Sequence, residues 1–219
     1  MDGREHVLHK HILGLPHLAG RPEAILSAID KWSAKNDILM TIGAERGDLI
    51  LDIISEIKPK TMVELGAYIG YSAIKFGQAV RDLGGERYLS LEANQEYAAI
   101  ARSMIELAGL SGFVHVIVGS SSSSLVNLAF AEPTLRIDLL FIDHSGRLYE
   151  EDLTLAERSS LLSPHAVVIA DNIVDPNASN YVAKMNVRAP KRGSEQAVDE
   201  DPRGGERFVY DSRTLSFTL

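Results

Sequence analysis

Three side chains that could bind a metal ion directly follow two apolar segments of the chain. Asp143 follows residues 137–142 ("IDLLFI"), and Asp171 and Asn172 follow residues 165–170 ("HAVVIA"). If these segments are neighbouring parallel strands, about 4.8 Å apart, both acids emerge together at the carboxyl edge of a sheet. Two carboxylates and an amide oxygen form an all-oxygen site, which favours magnesium. The alternative interpretation is that solvated loop acids cap the next elements.

A glycine-containing segment, "VELGAYIGYS" at residues 63–72, is a candidate cofactor loop. It lies between an apolar run and a helical pattern, where an α/β sheet receives its cofactor. Gly66 and Gly70 let the backbone turn tightly, but their spacing misses the dinucleotide pattern G-x-G-x-x-G. Glu64 is unfavourable beside a pyrophosphate, and it suits a ligand with a cationic end, such as S-adenosylmethionine (SAM).

Glu92 extends the argument for a nucleoside ligand. It ends the next apolar run, 28 residues after Glu64, at a position where a carboxylate commonly binds a ribose diol. A glycine turn without any ligand is the alternative that the spacing leaves open.

The elements that would position these residues alternate between strands and helices. Short apolar runs predict buried parallel strands, and helical patterns lie between them at about 70–83, 95–109, 121–131 and 148–162. This alternation predicts a doubly wound α/β sheet with helices on both faces. The predicted strands are residues 61–65, 87–92, 114–118, 137–142 and 165–170.

The two ends of the chain differ from this core. Residues 5–17, 22–35 and 45–57 have helical apolar spacing. After a helix near 178–186, the polar residues 187–206 are predicted to form a long loop. The terminal "RFVYDSRTLSFTL" has the pattern of two short strands joined by a turn. We expect residues 1–219 to form a single domain.

Composition limits the function classes. The chain has 219 residues, with 22 basic and 30 acidic side chains and a net charge of -8. This balance argues against a nucleic-acid surface, and the absence of cysteine excludes thiolate catalysis and Cys-ligated zinc. No apolar run of about 18 residues and no signal-peptide pattern is present. These observations predict a soluble cytoplasmic protein without membrane or nucleic-acid partners, and they leave monomer or homodimer open.

Together, the motifs resemble the catechol O-methyltransferase family. The resemblance covers most of residues 22–180, and it implies a SAM-dependent fold with seven strands, the last one antiparallel. It also implies that the helices within residues 1–58 cover the cofactor site. The matching stretches are "ILMTIGAERG", "MVELGAYIGYSAIKF", "SLEANQEYAAIARSMIELAGL", "LLFIDHSGRLYEEDL" and "LLSPHAVVIADNIVDPNA".

The resemblance also implies roles for individual positions. Glu92 would hold the ribose hydroxyls, and Ser72 and Asp143 would contact the methionine moiety. The implied magnesium ligands are Asp143, Asp171 and Asn172, and the residues implied at the reacting catechol are Asp143, Asn172 and Glu206. The full implied cofactor set is Ile42, Glu64, Gly66, Tyr68, Ser72, Glu92, Ser121 and Asp143.

The sequence departs from the family pattern where the proton acceptor is expected. The family motif Asp-His-Trp-Lys is replaced by residues 143–146, "DHSG", so Gly146 stands at the lysine position and Ser145 at the tryptophan. Another family tryptophan corresponds to Ile38. The remaining candidate bases are His144, Lys184 and Glu206. The family retains a histidine at the position of His144 alongside its lysine, which favours a structural role for His144. We expect metal ionisation to suffice, with solvent or hydroxide taking the proton.

Two other functions remain open at this level. An inactive SAM-binding or regulatory protein is supported by the altered "HSGR" segment and opposed by the retained metal-ligand set. A nicotinamide-dependent oxidoreductase on a similar sheet is disfavoured by Glu64 and the missing third glycine.

Overall fold

A computed structural model describes residues 3–36, 38–188 and 210–214. Within these residues, five parallel strands form one sheet in the order β3-β2-β1-β4-β5. The strands are β1 Thr61–Leu65, β2 Arg87–Glu92, β3 Val114–Val118, β4 Ile137–Ile142 and β5 Leu162–Ala170. Four of them have the predicted bounds, and β5 begins three residues earlier than predicted.

The predicted count of seven strands is wrong for the described residues, which contain five. The two further strands were expected within residues 207–219, of which only 210–214 are described, and these are in no strand. Most of the segment in which the antiparallel last strand was expected lies outside the described residues, as does Glu206.

Eight α-helices accompany the sheet in the described part of the chain. They are α1 Arg4–Leu13, α2 Pro22–Lys35, α3 Gly43–Ile57, α4 Tyr71–Asp82, α5 Gln95–Leu107, α6 Ser121–Ala131, α7 Tyr149–Arg158 and α8 Ser179–Arg188.

Some helix ends differ from the prediction. The helix expected over 5–17 stops at Leu13, because the Gly14–Pro16 segment interrupts it and a short 3₁₀ turn follows at Pro16–Leu18. The helix expected over 148–162 ends at Arg158, since Ser160 adopts a positive φ of 52° before β5 begins. Helix α8 extends two residues into the segment predicted as a loop from 187 to 206, and the rest of that segment lies outside the described residues.

The sheet has an apolar layer on each face, as the predicted doubly wound architecture requires. Alternate strand residues point to opposite faces, so Met62 packs with α1 to α5 on one face, whereas Val63 packs with α6 to α8 on the other. The sheet is therefore buried on both sides, which explains the nearly continuous apolar runs in the sequence.

The order of the strands determines where a ligand can bind. From β1 the chain proceeds outward to β2 and β3, and it then returns to the other side of β1 with β4 and β5. The carboxyl ends of β1 and β4 therefore form the topological switch point of the sheet, the position at which open α/β sheets bind ligands.

A close contact between α4 and β3 gives a test of this packing. A Cβ atom added at Gly77 would lie 2.4 Å from the Val114 Cγ2 atom. We expect Gly77→Ala to lower the free energy of unfolding by about 1–3 kcal/mol, because the helix must move away from the sheet. Urea unfolding measures the change. Gly112→Ala is the control, since nothing lies within 4 Å of its added Cβ; an equal loss in both variants would contradict the packing.

Candidate functional site

A small cavity lies at the switch point, between the loop before α3 and the loop after β1. Five members of the implied cofactor set line it: Ile42, Gly66, Tyr68, Ser72 and Asp143. Met40, Thr41, Ala67 and Tyr71 complete its wall. The fold thus brings together residues that are up to 101 positions apart, while Glu64, Glu92 and Ser121 are not among the lining residues.

Gly66 permits the close approach of the two loops at this cavity. Its φ is +105°, and a Cβ at this position would lie 2.5 Å from the carbonyl oxygen of Asp143. A side chain is therefore excluded both by the backbone conformation and by the neighbouring strand end. Gly66 holds the loop after β1 directly against the residue that ends β4.

Glu64 is a fully buried acid beneath this loop. Its Oε2 accepts a hydrogen bond from the Ser90 hydroxyl at 2.5 Å, whereas Oε1 is buried without a partner. Burial raises the pKa of Glu64 to about 7, despite the hydrogen bond from Ser90. A nearby cationic ligand would favour the charged carboxylate, which fits the sequence-based expectation of a ligand with a cationic end.

Glu92 ends β2, and two backbone groups hold its carboxylate in place. The N–H of Tyr68 donates to Oε2 at 2.9 Å, and the N–H of Asn94 donates to Oε1 at 2.7 Å. A carboxylate oxygen has a second lone pair, so both oxygens can still accept hydrogen bonds from hydroxyl groups. The arrangement suits a ribose diol.

Ser121 belongs to a buried polar cluster that sequence reasoning missed. Asp152, on α7, is fully buried and accepts hydrogen bonds from the Ser121 hydroxyl at 2.5 Å, the Ser122 hydroxyl at 2.7 Å and His144 Nε2 at 2.7 Å. Burial alone would raise the pKa of Asp152, but these hydrogen bonds hold it below its usual value. The cluster ties the start of α6 to the loop after β4. An acid beside Leu153 on the apolar side of α7 was the available sequence signal.

The predicted acid pair is adjacent in the sheet. Ile142 is paired with Ala170, and the Asp171 N–H donates to the Ile142 carbonyl at 3.0 Å, so Asp143 and Asp171 follow paired positions. Burial raises the pKa of Asp143 to about 8, with further contributions from the charges of Asp171 and Glu64. A bound cation would stabilise two carboxylates that repel each other at one sheet edge.

Arg46 is a second residue that the sequence reasoning missed. Its Nη1 donates to Asp171 Oδ2 at 2.6 Å and to Asn172 Oδ1 at 3.1 Å, and its Nε donates to the Ile42 carbonyl at 3.1 Å. The positively charged Arg46 guanidinium thus binds Asp171 and Asn172, two of the three proposed magnesium ligands. Their oxygens point toward a common positive charge, so the residues fit a small divalent ion.

No other metal site competes with this one within the described residues. No group of three or more His, Cys, Asp or Glu side chains in residues 3–36, 38–188 and 210–214 could hold a metal ion. The candidate set at the sheet edge contains only two acids, because its third oxygen comes from the amide of Asn172.

Backbone packing leaves little space for a side chain at the lysine position of the family pattern. Gly146 begins a 3₁₀ turn, Gly146–Leu148, that packs against a second one, Pro176–Ala178. A Cβ at Gly146 would lie 3.2 Å from the Ala178 nitrogen and 3.3 Å from the Asn177 carbonyl carbon. Arg147 Nε donates to Asn177 Oδ1 at 2.9 Å and joins the two turns.

The candidate bases are engaged elsewhere or lie outside the described residues. His144 binds Asp152 through Nε2 and stacks on Tyr149, with 5.3 Å between the ring centroids, which supports a structural role. Lys184 Nζ contacts the Thr154 hydroxyl and lies 3.4 Å from Glu157 Oε2, so it binds helix α7. Glu206 is not within the described residues.

Comparisons with known proteins agree with this geometry. A family model described as a methyltransferase domain matches residues 63–173. Catechol O-methyltransferase of Sus scrofa is 34% identical over 146 residues, which cover 67% of this chain and 77% of that protein. The Bos taurus enzyme of the same name is 34% identical over 181 residues, which cover 83% of this chain and 65% of that protein.

A solved structure supports the same fold. The O-methyltransferase TomG of Streptomyces achromogenes, solved in complex with SAM, has a TM-score of 0.64 at 24% identity, covering 74% of this chain and 77% of that one. The fold and the matched domain define a protein of the methyltransferase class. Within that class, the chain belongs to the catechol O-methyltransferase family.

The relatives are longer than the matched region. The chain spans 65% of the bovine protein and 61% of the mouse catechol O-methyltransferase. Among the described residues, no helix is long and apolar enough to cross a bilayer. The cytoplasmic location and the single-domain organisation stay predictions from the sequence.

The buried acid Glu64 predicts a pH-dependent stability. Its folded pKa of about 7 exceeds the usual 4.5, so the folded state binds more protons between these values and its contribution to stability falls as pH rises through this window. We expect the free energy of unfolding of Glu64→Gln, measured in urea, to increase relative to that of wild type by on the order of 2–3 kcal/mol as the pH rises from 5 to 8. The exposed Glu56→Gln is the control, and parallel pH profiles of wild type and Glu64→Gln would contradict the expectation.

Proposed function

We propose that this protein is a magnesium- and SAM-dependent O-methyltransferase that transfers a methyl group to one hydroxyl of a catechol-type small molecule. The observation that supports it best is the position of Asp143. This residue lines the cavity together with Gly66 and Ser72. It also directly follows Ile142, which is paired with Ala170, the residue before Asp171. One carboxylate therefore borders both the cofactor cavity and the candidate metal site.

The cofactor would open this cavity, which is too small to hold it as it stands, and would extend toward the end of β2. Glu92, oriented by two backbone N–H groups, would accept hydrogen bonds from the ribose hydroxyls. Ser72 and Asp143 would contact the methionine end, and the buried Glu64 would favour the positive charge of a sulfonium. The SAM complex of TomG supports the choice of cofactor.

The metal would be held by Asp143, Asp171 and Asn172. When bound, magnesium would supply a positive charge that orients both catechol oxygens and lowers the pKa of the reacting hydroxyl. The chain itself would align that oxygen with the cofactor, since the ligand Asp143 borders both sites, and alignment accounts for much of such catalysis.

The proton would leave to solvent or hydroxide. Gly146 has no side chain, and the adjacent Pro176–Ala178 turn leaves little space for one. His144 and Lys184 bind other partners, Asp152 and α7 respectively. These contacts favour a site in which no side chain acts as the base.

The pH dependence of the rate tests the absence of a base. With SAM, magnesium and catechol saturating at every pH, we expect the turnover rate to rise by up to about tenfold per unit between pH 7 and pH 9, because hydroxide takes the proton. Initial rates of methylation of 3,4-dihydroxybenzoate provide the measurement. A flat rate across this range would contradict proton removal by hydroxide in the rate-limiting step.

Removal of one ligand tests the metal assignment. We expect Asp171→Ala to abolish detectable turnover and Mn²⁺ binding while changing SAM affinity by less than about twofold, because Asp171 does not line the cofactor cavity. Isothermal titration measures both affinities. Asp48→Ala removes an exposed acid from α3 and is the matched control. Loss of SAM binding with metal binding retained would contradict the assignment.

A SAM-binding protein without turnover is the second candidate, and the absence of a side chain at the lysine position, Gly146, favours it. Incubation with SAM and 3,4-dihydroxybenzoate or dopamine, with and without EDTA, separates the two. Methylated product that disappears with EDTA supports the methyltransferase. SAM binding without turnover on a broad catechol panel supports the second candidate. Binding of a nicotinamide cofactor instead of SAM would indicate the oxidoreductase.

A further inference from the structure

A buried acid on the first helix contacts the wall of the cofactor cavity. Glu5, in the first turn of α1, is only 4% exposed. Its Oε1 accepts hydrogen bonds from the Tyr68 hydroxyl at 2.8 Å and from the Tyr97 hydroxyl at 3.4 Å, while Oε2 is buried without a partner. The two tyrosine rings meet edge to face, with centroids 5.0 Å apart.

Tyr68 connects this acid to the cofactor site. It lines the cavity, and its backbone N–H donates to Glu92 Oε2. Its φ of 47° is unusual for a residue with a large side chain. A strained conformation persists only where the surroundings fix it, and the hydrogen bonds to Glu5 and Glu92 hold the two ends of this residue.

The neighbouring residue on α1 contacts the start of a second segment that lines the cavity. Arg4 Nη1 donates to the Ile38 carbonyl oxygen at 2.7 Å, at the start of the segment that contributes Met40, Thr41 and Ile42 to the lining. Arg4 and Glu5 therefore contact both of the segments that enclose the cavity.

The chemistry of Glu5 is costly for a purely structural contact. Burying a carboxylate with one oxygen unpaired costs on the order of 1–3 kcal/mol or more, and an apolar residue would pack at this position without that cost. Natural proteins keep such unfavourable groups mainly at functional sites. A carboxylate accepts from two phenols at once and has no donor hydrogen that would oppose them.

We propose that Glu5 is a positioning residue for the cofactor site, which fixes Tyr68 through its hydroxyl and so makes helix α1 a strap across the SAM cavity. This inference deepens the proposed function and rests on it. Without the Glu5 carboxylate, the Tyr68 loop loses one of its two anchors, and the Glu92 carboxylate loses a fixed donor.

Cofactor affinity tests the proposal. We expect Glu5→Ala to weaken SAM binding by about tenfold or more, Glu5→Gln to weaken it less because one acceptor oxygen remains, and Tyr68→Phe to resemble Glu5→Ala. The double variant should bind SAM about as weakly as either single one, since both remove the same interaction. Isothermal titration measures the dissociation constants, and the Michaelis constant for SAM should rise while that for the catechol stays unchanged.

His9→Ala separates positioning from simple anchoring of α1. His9 lies on the same helix, and its Nε2 is 2.8 Å from the Ser103 hydroxyl on α5, so the variant loosens α1 without touching Tyr68. We expect it to leave SAM affinity within about twofold of wild type. Equal weakening in His9→Ala and Glu5→Ala, or unchanged affinity in Glu5→Ala, would overturn the proposal.

Amide hydrogen exchange of the protein without ligand provides a readout that does not depend on SAM. Glu5→Ala should speed exchange in a peptide covering residues 66–72 relative to both wild type and His9→Ala. A wild-type protein that binds no SAM would overturn the proposed function, whereas unchanged exchange in Glu5→Ala would overturn the role of Glu5.

Discussion

The register of β1, β4 and β5 is the constraint on which the site depends. The Asp143 N–H donates to the Leu65 carbonyl and the Asp171 N–H donates to the Ile142 carbonyl, so each strand end is fixed by the strand beside it. Gly66 then packs on the Asp143 carbonyl, where no side chain fits. A shift of one residue in either pairing would turn the acids to the opposite face of the sheet. Packing of the apolar core on both faces thus determines where the carboxylates are.

Concentrated negative charge is the second property that follows from this register. Glu64, Asp143 and Asp171 lie near one sheet edge. Burial raises the pKa of Glu64 and of Asp143, and the charges of Asp171 and Glu64 raise that of Asp143 further. Arg46 supplies a compensating charge there through Asp171. Such a site disfavours phosphate groups and favours cationic ligands. A sulfonium and a divalent ion both meet that requirement, which links the electrostatics of the fold to the proposed chemistry.

Local patterns in the sequence predicted the sheet well, and long-range contacts limited the rest. Apolar runs identified four strands with their bounds, and the Gly66 loop was recognised because backbone geometry demands glycine there. The start of β5 was missed because residues 162–165 ("LSPH") have no apolar run. Glu5, Arg46 and Asp152 were missed because their partners are 63, 125 and up to 31 positions away. A helical pattern shows that a charged residue is present, but it does not show which loop that residue contacts.

The glycine at the lysine position is best understood together with the turn that it contacts. Gly146 allows the Gly146–Leu148 turn to approach the Pro176–Ala178 backbone closely. Arg147 joins the two turns by a hydrogen bond to Asn177, whose side chain also donates to Asp175. This edge of the site is therefore closed by main-chain packing rather than by a side chain. A side chain restored at Gly146 would require the second turn, which begins four residues after the proposed metal ligand Asn172, to shift by a few tenths of an ångström. Proton removal by solvent is consistent with this packing, because the position of the family lysine carries no basic side chain and the neighbouring turn lies close to it.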